Sequence, residues 1–230
     1  METNKGQNQL FPIFLKPEKL QFLIVGGGNS ASEKLRFLLK SSPTATIRLV
    51  AEKVSKEILL LVVGHPQVDL RLRNFENIDL EGVDISIIAT DDKEHNLAIR
   101  KESKRRGIVT NVADTPALCD FYLGSIVTKG DLKIGISTNG KSPTMAKRIR
   151  QLFEKYLPED LPGLLTNMHL FRKTLKGDFS SKVKTLNKLT EDLVKNNEVT
   201  KEHKTGKGHQ SSVASYRRYI ATGLPAHWGN

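Results

Sequence analysis

The stretch Gln21-Phe22-Leu23-Ile24-Val25 runs straight into Gly26-Gly27-Gly28-Asn29-Ser30-Ala31. An apolar run of this length suits a buried strand, and consecutive glycines end it. Beyond them Ala31, Leu35, Leu38 and Leu39 fall at i, i+4, i+7 and i+8, one face of a helix. Ser41-Ser42-Pro43 stops that helix, and Ala45–Val50 reads as a second strand. Strand, glycine turn, helix and strand in so short a span make a βαβ unit, which requires parallel strands.

The same grammar continues. Ser55–Val63 reads as a helix, and Val68, Leu70 and Leu72 alternate with charged residues as in a half-exposed strand. Val83–Thr90 is a buried-type strand, Lys93–Arg106 a polar helix ended by Gly107, and Ile108–Val112 a further strand. The expectation is an α/β fold, a Rossmann-like doubly wound parallel sheet over roughly residues 12–115. After Asp114 the pattern changes. Phe121–Val127 and Leu132–Ser137 predict a hairpin turning at Thr128–Asp131. Ser142-Pro143 then opens a helix with Ile149, Leu152, Phe153 and Tyr156 on one face. Leu164, Met168, Phe171 and Leu175 predict a second helix, and Leu186, Leu189 and Leu193 a third. From about Asn196 the polar, basic chain reads as a loosely ordered tail.

Gly26-x-Gly28-x-x-Ala31 between a strand and a helix is the setting of a dinucleotide-binding loop. The first glycine permits the tight turn, the second admits a pyrophosphate to backbone N–H groups, and Ala31 lets helix and strand pack closely. The phosphates then lie at the positive end of the helix dipole. Past the second strand, Glu52 is a candidate acceptor for the ribose hydroxyls of NAD, while Lys53 beside it suits the 2′-phosphate of NADP. Other strand ends contribute Thr90-Asp91-Asp92 and Asn111-Val112-Ala113-Asp114. Asp91 and Asp92 serve equally well as loop or helix caps. Asp114 stands where the nucleotide domain meets the next module, and a carboxylate there can accept protons.

Other classes are disfavoured. With 38% hydrophobic and 27% charged residues the bulk is globular. The longest clean apolar run, Ile58–Val63, is far short of the roughly 20 residues of a membrane span, and the polar start lacks a signal-peptide core. One cysteine, Cys119, leaves no disulfide framework and reads as a small buried hydrophobe in a reducing compartment. These features predict a cytoplasmic protein without a membrane partner. The six histidines are scattered without the spacing of a metal site. The net charge of +11 is densest toward the C-terminus, yet no nucleic-acid motif accompanies it, so no nucleic-acid partner is expected.

Taken in order, Phe11–Leu15, LIVGGGNSASEKLRFLL, IIATDDKEHN, TNVADTPALCDFYLGSIV and GISTNGKSPTMAKRIR resemble precorrin-2 dehydrogenase/sirohydrochlorin ferrochelatase, the N-terminal module of siroheme synthase. The resemblance covers about residues 10–160 and looks like the stand-alone form. It implies NAD-dependent oxidation of precorrin-2 to sirohydrochlorin, with ferrous iron as a further substrate and siroheme as product. It also implies a homodimer built through the middle segment, a dimerisation segment over 116–150. That segment follows an NAD-binding domain at 1–115 and precedes a helical domain at 151–195 and the tail at 196–230. The family's aspartate matches Asp114, and its cofactor positions match Asn29, Ser30, Glu52 and Lys53. The polycarboxylate substrate would give the basic residues Lys129, Lys133, Lys141, Lys147, Arg148 and Arg150 a partner. The chief rival is a dinucleotide-sensing regulatory domain without catalysis, which would have no need of Asp114.

Overall fold

The computed structural model describes residues 8–190. Five parallel strands form one sheet in the order β3-β2-β1-β4-β5. They are β1 (Gln21–Val25), β2 (Thr46–Ala51), β3 (Val68–Leu72), β4 (Ile85–Ile88) and β5 (Val109–Val112). Between them run α1 (Asn29–Ser41), α2 (Lys56–Val63) and α3 (Lys93–Arg105), with a short 3-10 helix at Asn77–Leu80. The chain leaves β1 for β2 on one side and returns past it to β4 on the other. The strand order therefore reverses at β1, and that switch point opens a crevice at the carboxyl ends of the strands.

The period of two sorts each strand between two cores. Phe22, Ile24, Ile47, Leu49, Ile85 and Ile87 face a cluster completed by Ala31, Leu35, Leu38 and Leu39 of α1 and Ile58 of α2. Leu23, Val25, Val50 and Ile88 face the other, with Leu80 and with Ile99 of α3. Both faces are buried, hence the near-continuous apolar runs of β1 and β4.

The remaining elements are the antiparallel-type hairpin strands β6 (Ser125–Lys129) and β7 (Leu132–Ile136), then α4 (Pro143–Tyr156), α5 (Leu161–Thr174) and α6 (Phe179–Thr190). The hairpin is shorter than its β-prone residues suggest. Phe121 and Leu123 pack instead against the α1–α2 core. The chain divides into two compact units, the first running to Ile126 and resuming over Gly135–Arg150, the second holding Val127–Ile134 and the chain from Gln151. Within the second, the Gly130 turn (φ 57°) lies against Pro162, where a Cβ would come within 2.8 Å of that ring. Lys129 donates to the Leu157 carbonyl at 2.8 Å and pairs with Glu159 at 3.2 Å. The expected helix position Leu193 and the tail lie outside the described residues.

Candidate dinucleotide site at the carboxyl end of the sheet

The three glycines are not equivalent. Gly26 sits at φ 126°, and a Cβ there would strike the Ala89 carbonyl oxygen. At Gly27 a Cβ would strike the Lys53 carbonyl oxygen. Backbone bonds fix this approach: Gly26 N–H donates to Val50 at 3.0 Å, and Ser55 N–H donates to Gly27 at 2.8 Å. Gly28 is different. Its φ of −85° suits any residue, and a Cβ on it would meet nothing within 4 Å. The fold explains Gly26 and Gly27; Gly28 borders open space in front of α1.

That space faces an unusual helix end. Among the described residues no side chain caps the first turn of α1, and that turn carries no acidic residue. By contrast, Ser55 caps α2 by accepting from Ile58 N–H, and Asp92 caps α3 by accepting from His95 N–H at 2.9 Å. The N–H groups opening α1 thus lack a side-chain acceptor, at the positive end of a 13-residue helix. Asn29 is exposed and Ser30 half-buried beside them, while Ala31 is fully buried against the sheet. An anionic pyrophosphate fits this cradle in charge, donor set and room.

The other expected residues surround it unequally. Glu52 and Lys53 are exposed in the bend after β2, beside the loop because Gly27 abuts the Lys53 carbonyl. Thr90 follows Ala89, whose carbonyl Gly26 touches, so β4 brings it to the same end. Its hydroxyl donates to Asn96 Oδ1 at 2.5 Å, and the buried Asn96 amide donates back to the Thr90 carbonyl at 2.9 Å. Thr90 is thereby engaged in anchoring α3. Asp91 is exposed next to it, and Asp92 is the helix cap.

Asp114 lies just beyond β5, exposed and in the left-handed region at φ 57°. Ala113 N–H still reaches Ile88 at 2.8 Å, and Thr115 N–H folds back to Val112 at 3.3 Å, so the residue protrudes from a pinned turn. Since β4 separates β5 from β1, Asp114 stands about 10 Å along the sheet edge from the glycine loop.

Sequence reasoning missed how this turn is held. As an edge strand, β5 has open backbone groups, and the next segment covers them. Asp120 N–H donates to Thr110 O at 2.8 Å, and Thr110 N–H donates to the Asp120 carboxylate at 2.9 Å. Arg100 of α3 binds that carboxylate at 2.7 Å and the Leu118 carbonyl at 2.8 Å. Cys119, half-buried, accepts from Val112 N–H at 3.3 Å and donates to Val112 O at 3.2 Å. Burial pushes its thiol pKa up, against the opposing pull of the Val112 bond. Its polar contacts to the strand distinguish it from the inert hydrophobe its isolation in the sequence suggests.

Among the described residues no three His, Cys, Asp or Glu side chains are grouped to hold a metal ion, and no helix is long and apolar enough to cross a membrane.

The reversal of strand order, the close-approach glycines and the uncapped α1 define a Rossmann-type dinucleotide-binding protein. Comparison narrows the class. Residues 13–125 match the family described as "Putative NAD(P)-binding", and residues 129–156 match "Sirohaem biosynthesis protein central". The siroheme synthase of Pseudoalteromonas atlantica is 35% identical over 176 residues, covering 76% of this chain and 37% of that protein. That of Methylococcus capsulatus is 36% identical over 147 residues, covering 64% and 30%. The solved structure of SirC, a precorrin-2 dehydrogenase, superposes with a TM-score of 0.62 at 25% identity, covering 82% of this chain and 96% of that one. The chain belongs to the siroheme synthase family and carries its NAD-binding and central modules. It spans about a third of the length of the curated siroheme synthases it matches.

Proposed function

We propose that this chain oxidises precorrin-2 to sirohydrochlorin with NAD. The observation that carries the reading is the open space at Gly28 before an uncapped α1, in a chain that covers 96% of a precorrin-2 dehydrogenase. Gly26, Gly28 and Ala31 shape the pyrophosphate cradle, and the N–H groups of Asn29 and Ser30 donate to it. Glu52 accepts from ribose hydroxyls, with Lys53 beside it. Thr90 and Asp91 form the wall at β4, Thr90 chiefly by anchoring α3 through Asn96.

When bound, NAD supplies the hydride acceptor. The substrate loses one hydride and one proton, and Asp114 is the residue assigned to the proton. An exposed carboxylate on a turn pinned by backbone bonds suits that task, because those bonds fix where its Cα stands. Sirohydrochlorin then offers a ring of pyrrole nitrogens, and insertion of ferrous iron, as substrate, would expel two N–H protons and give siroheme. A homodimer through the hairpin segment belongs to the same reading. Of the basic residues considered for the substrate's carboxylates, Lys129 is already committed to Leu157 and Glu159.

The test is Asp114→Ala. Turnover should fall at least a hundredfold while NAD affinity and melting temperature stay within error. Full turnover in the variant would remove Asp114 from the chemistry and reopen the regulatory reading.

A further inference from the structure

Two arginines lie at the end of β3, the strand next to the one that leads into Glu52, and both are already occupied. In the parallel register Val50 pairs with Arg71 and Ala51 with Leu72, and Glu52 and Arg73 are the first residues beyond the paired ends of the two strands. A guanidinium in this neighbourhood is what a Rossmann site uses to accept a 2′-phosphate.

Here a buried carboxylate holds both. Asp79, on the 3-10 helix and fully buried, takes Arg73 through two bonds, Nη1 to Oδ2 at 2.7 Å and Nη2 to Oδ1 at 2.6 Å. Arg71 Nη1 reaches Oδ1 at 3.0 Å, and Arg71 Nε reaches Asp69 at 3.0 Å. Glu76 N–H donates to Oδ2 at 3.0 Å, and Arg48 fixes the backbone beneath by donating to the Asp79 carbonyl at 2.7 Å. Burying a charge is costly, and apolar residues of similar volume would hold a helix here at less expense. The arrangement holds two cations on one buried carboxylate.

We propose that Asp79 is a specificity-determining residue: by retaining Arg71 and Arg73 it withholds them from the ribose 2′ position and sets a preference for NAD over NADP. This rests on the assignment of Glu52 to the ribose.

The test is calorimetric binding of NAD and of NADP to the full chain and to three variants. The wild-type chain should bind NAD at least tenfold tighter than NADP. Asp79→Asn should narrow that ratio at least tenfold through tighter NADP binding, and adding Arg73→Leu should restore it. A folded Asp79→Asn protein with the ratio unchanged overturns the proposal. Should that variant not fold, Arg73→Leu alone decides. NADP affinity within threefold of wild type is the result of a withheld guanidinium, and a greater loss overturns it because Arg73 would already serve the phosphate. Failure of the wild-type chain to bind NAD would instead overturn the dinucleotide reading on which the proposal rests.

Discussion

The backbone at Gly27 lies so close to the Lys53 carbonyl that no Cβ fits between them, whereas its neighbour Gly28 faces open space. Adjacent glycines therefore differ, one packed against the bend after β2 and the other bordering the space proposed for the pyrophosphate. Substitution separates the two. Gly27→Ala should destabilise the fold by about 3 kcal/mol, because rigid backbone must move. Gly28→Asp should leave the melting temperature nearly unchanged but weaken NAD at least tenfold, by crowding and charge repulsion at the pyrophosphate. Unchanged affinity in a folded Gly28→Asp protein would remove the loop from the site.

The Asp79 cluster gives the domain an acid limit. Burial opposes ionisation of Asp79, but Arg73, the Glu76 N–H and Arg71 outweigh it and hold the carboxyl below its usual value. A depressed folded pKa means the cluster's contribution is complete above the unfolded value of about 4 and is lost as pH falls through the lower folded one. Asp79→Asn should cost on the order of 2 kcal/mol at neutral pH, less than for a fully buried pair since both arginines are a third exposed. The difference between variant and wild type, from urea titrations, should shrink below about pH 4. A difference that stays constant down to acid pH would contradict this account.

The edge of β5 depends on side chains rather than on another strand. Removing the carboxylate in Asp120→Ala strands the Thr110 N–H and leaves Arg100, 12% exposed, without its acid. A loss of about 2 kcal/mol is expected. Turnover should fall with it, because the Asp114 turn lies between the covered strand and its cover. Stability equal to wild type would show that the edge needs no such cover.

Cys119 should react slowly with a disulfide reagent at neutral pH in the native chain. Its thiol pKa is raised by burial and its sulfur is engaged with Val112, whereas the unfolded chain exposes an ordinary thiol. Native labelling at least tenfold slower than in urea is the predicted result. Equal rates would mean that the sulfur is free of the strand.

Much of the doubly wound order could be read directly from the chain. Periods of two and 3.6 are imposed by the two buried faces of the sheet, so Leu35, Leu38 and Ile87 announce their elements before any contact is known. Phe121 and Leu123 show the limit. Aromatic and branched residues are equally at home in a strand and in a core, and only the folded chain sends these two to the α1–α2 core. Within the glycine loop the motif treats Gly27 as a free position, although its approach to Lys53 is as restrictive as that of Gly26 to Ala89. Asp79 with Arg71 and Arg73, and Cys119 with Val112, leave no periodic trace. Their partners are set by how a loop returns to a strand rather than by spacing along a regular element.

The most direct test of the central claim is an anaerobic incubation of the purified chain with freshly prepared precorrin-2 and NAD, followed by absorbance. Sirohydrochlorin and NADH should appear together in equal amounts, well above the rate without protein. Intact NAD binding with no NADH formed would contradict the assignment of precorrin-2 as the substrate.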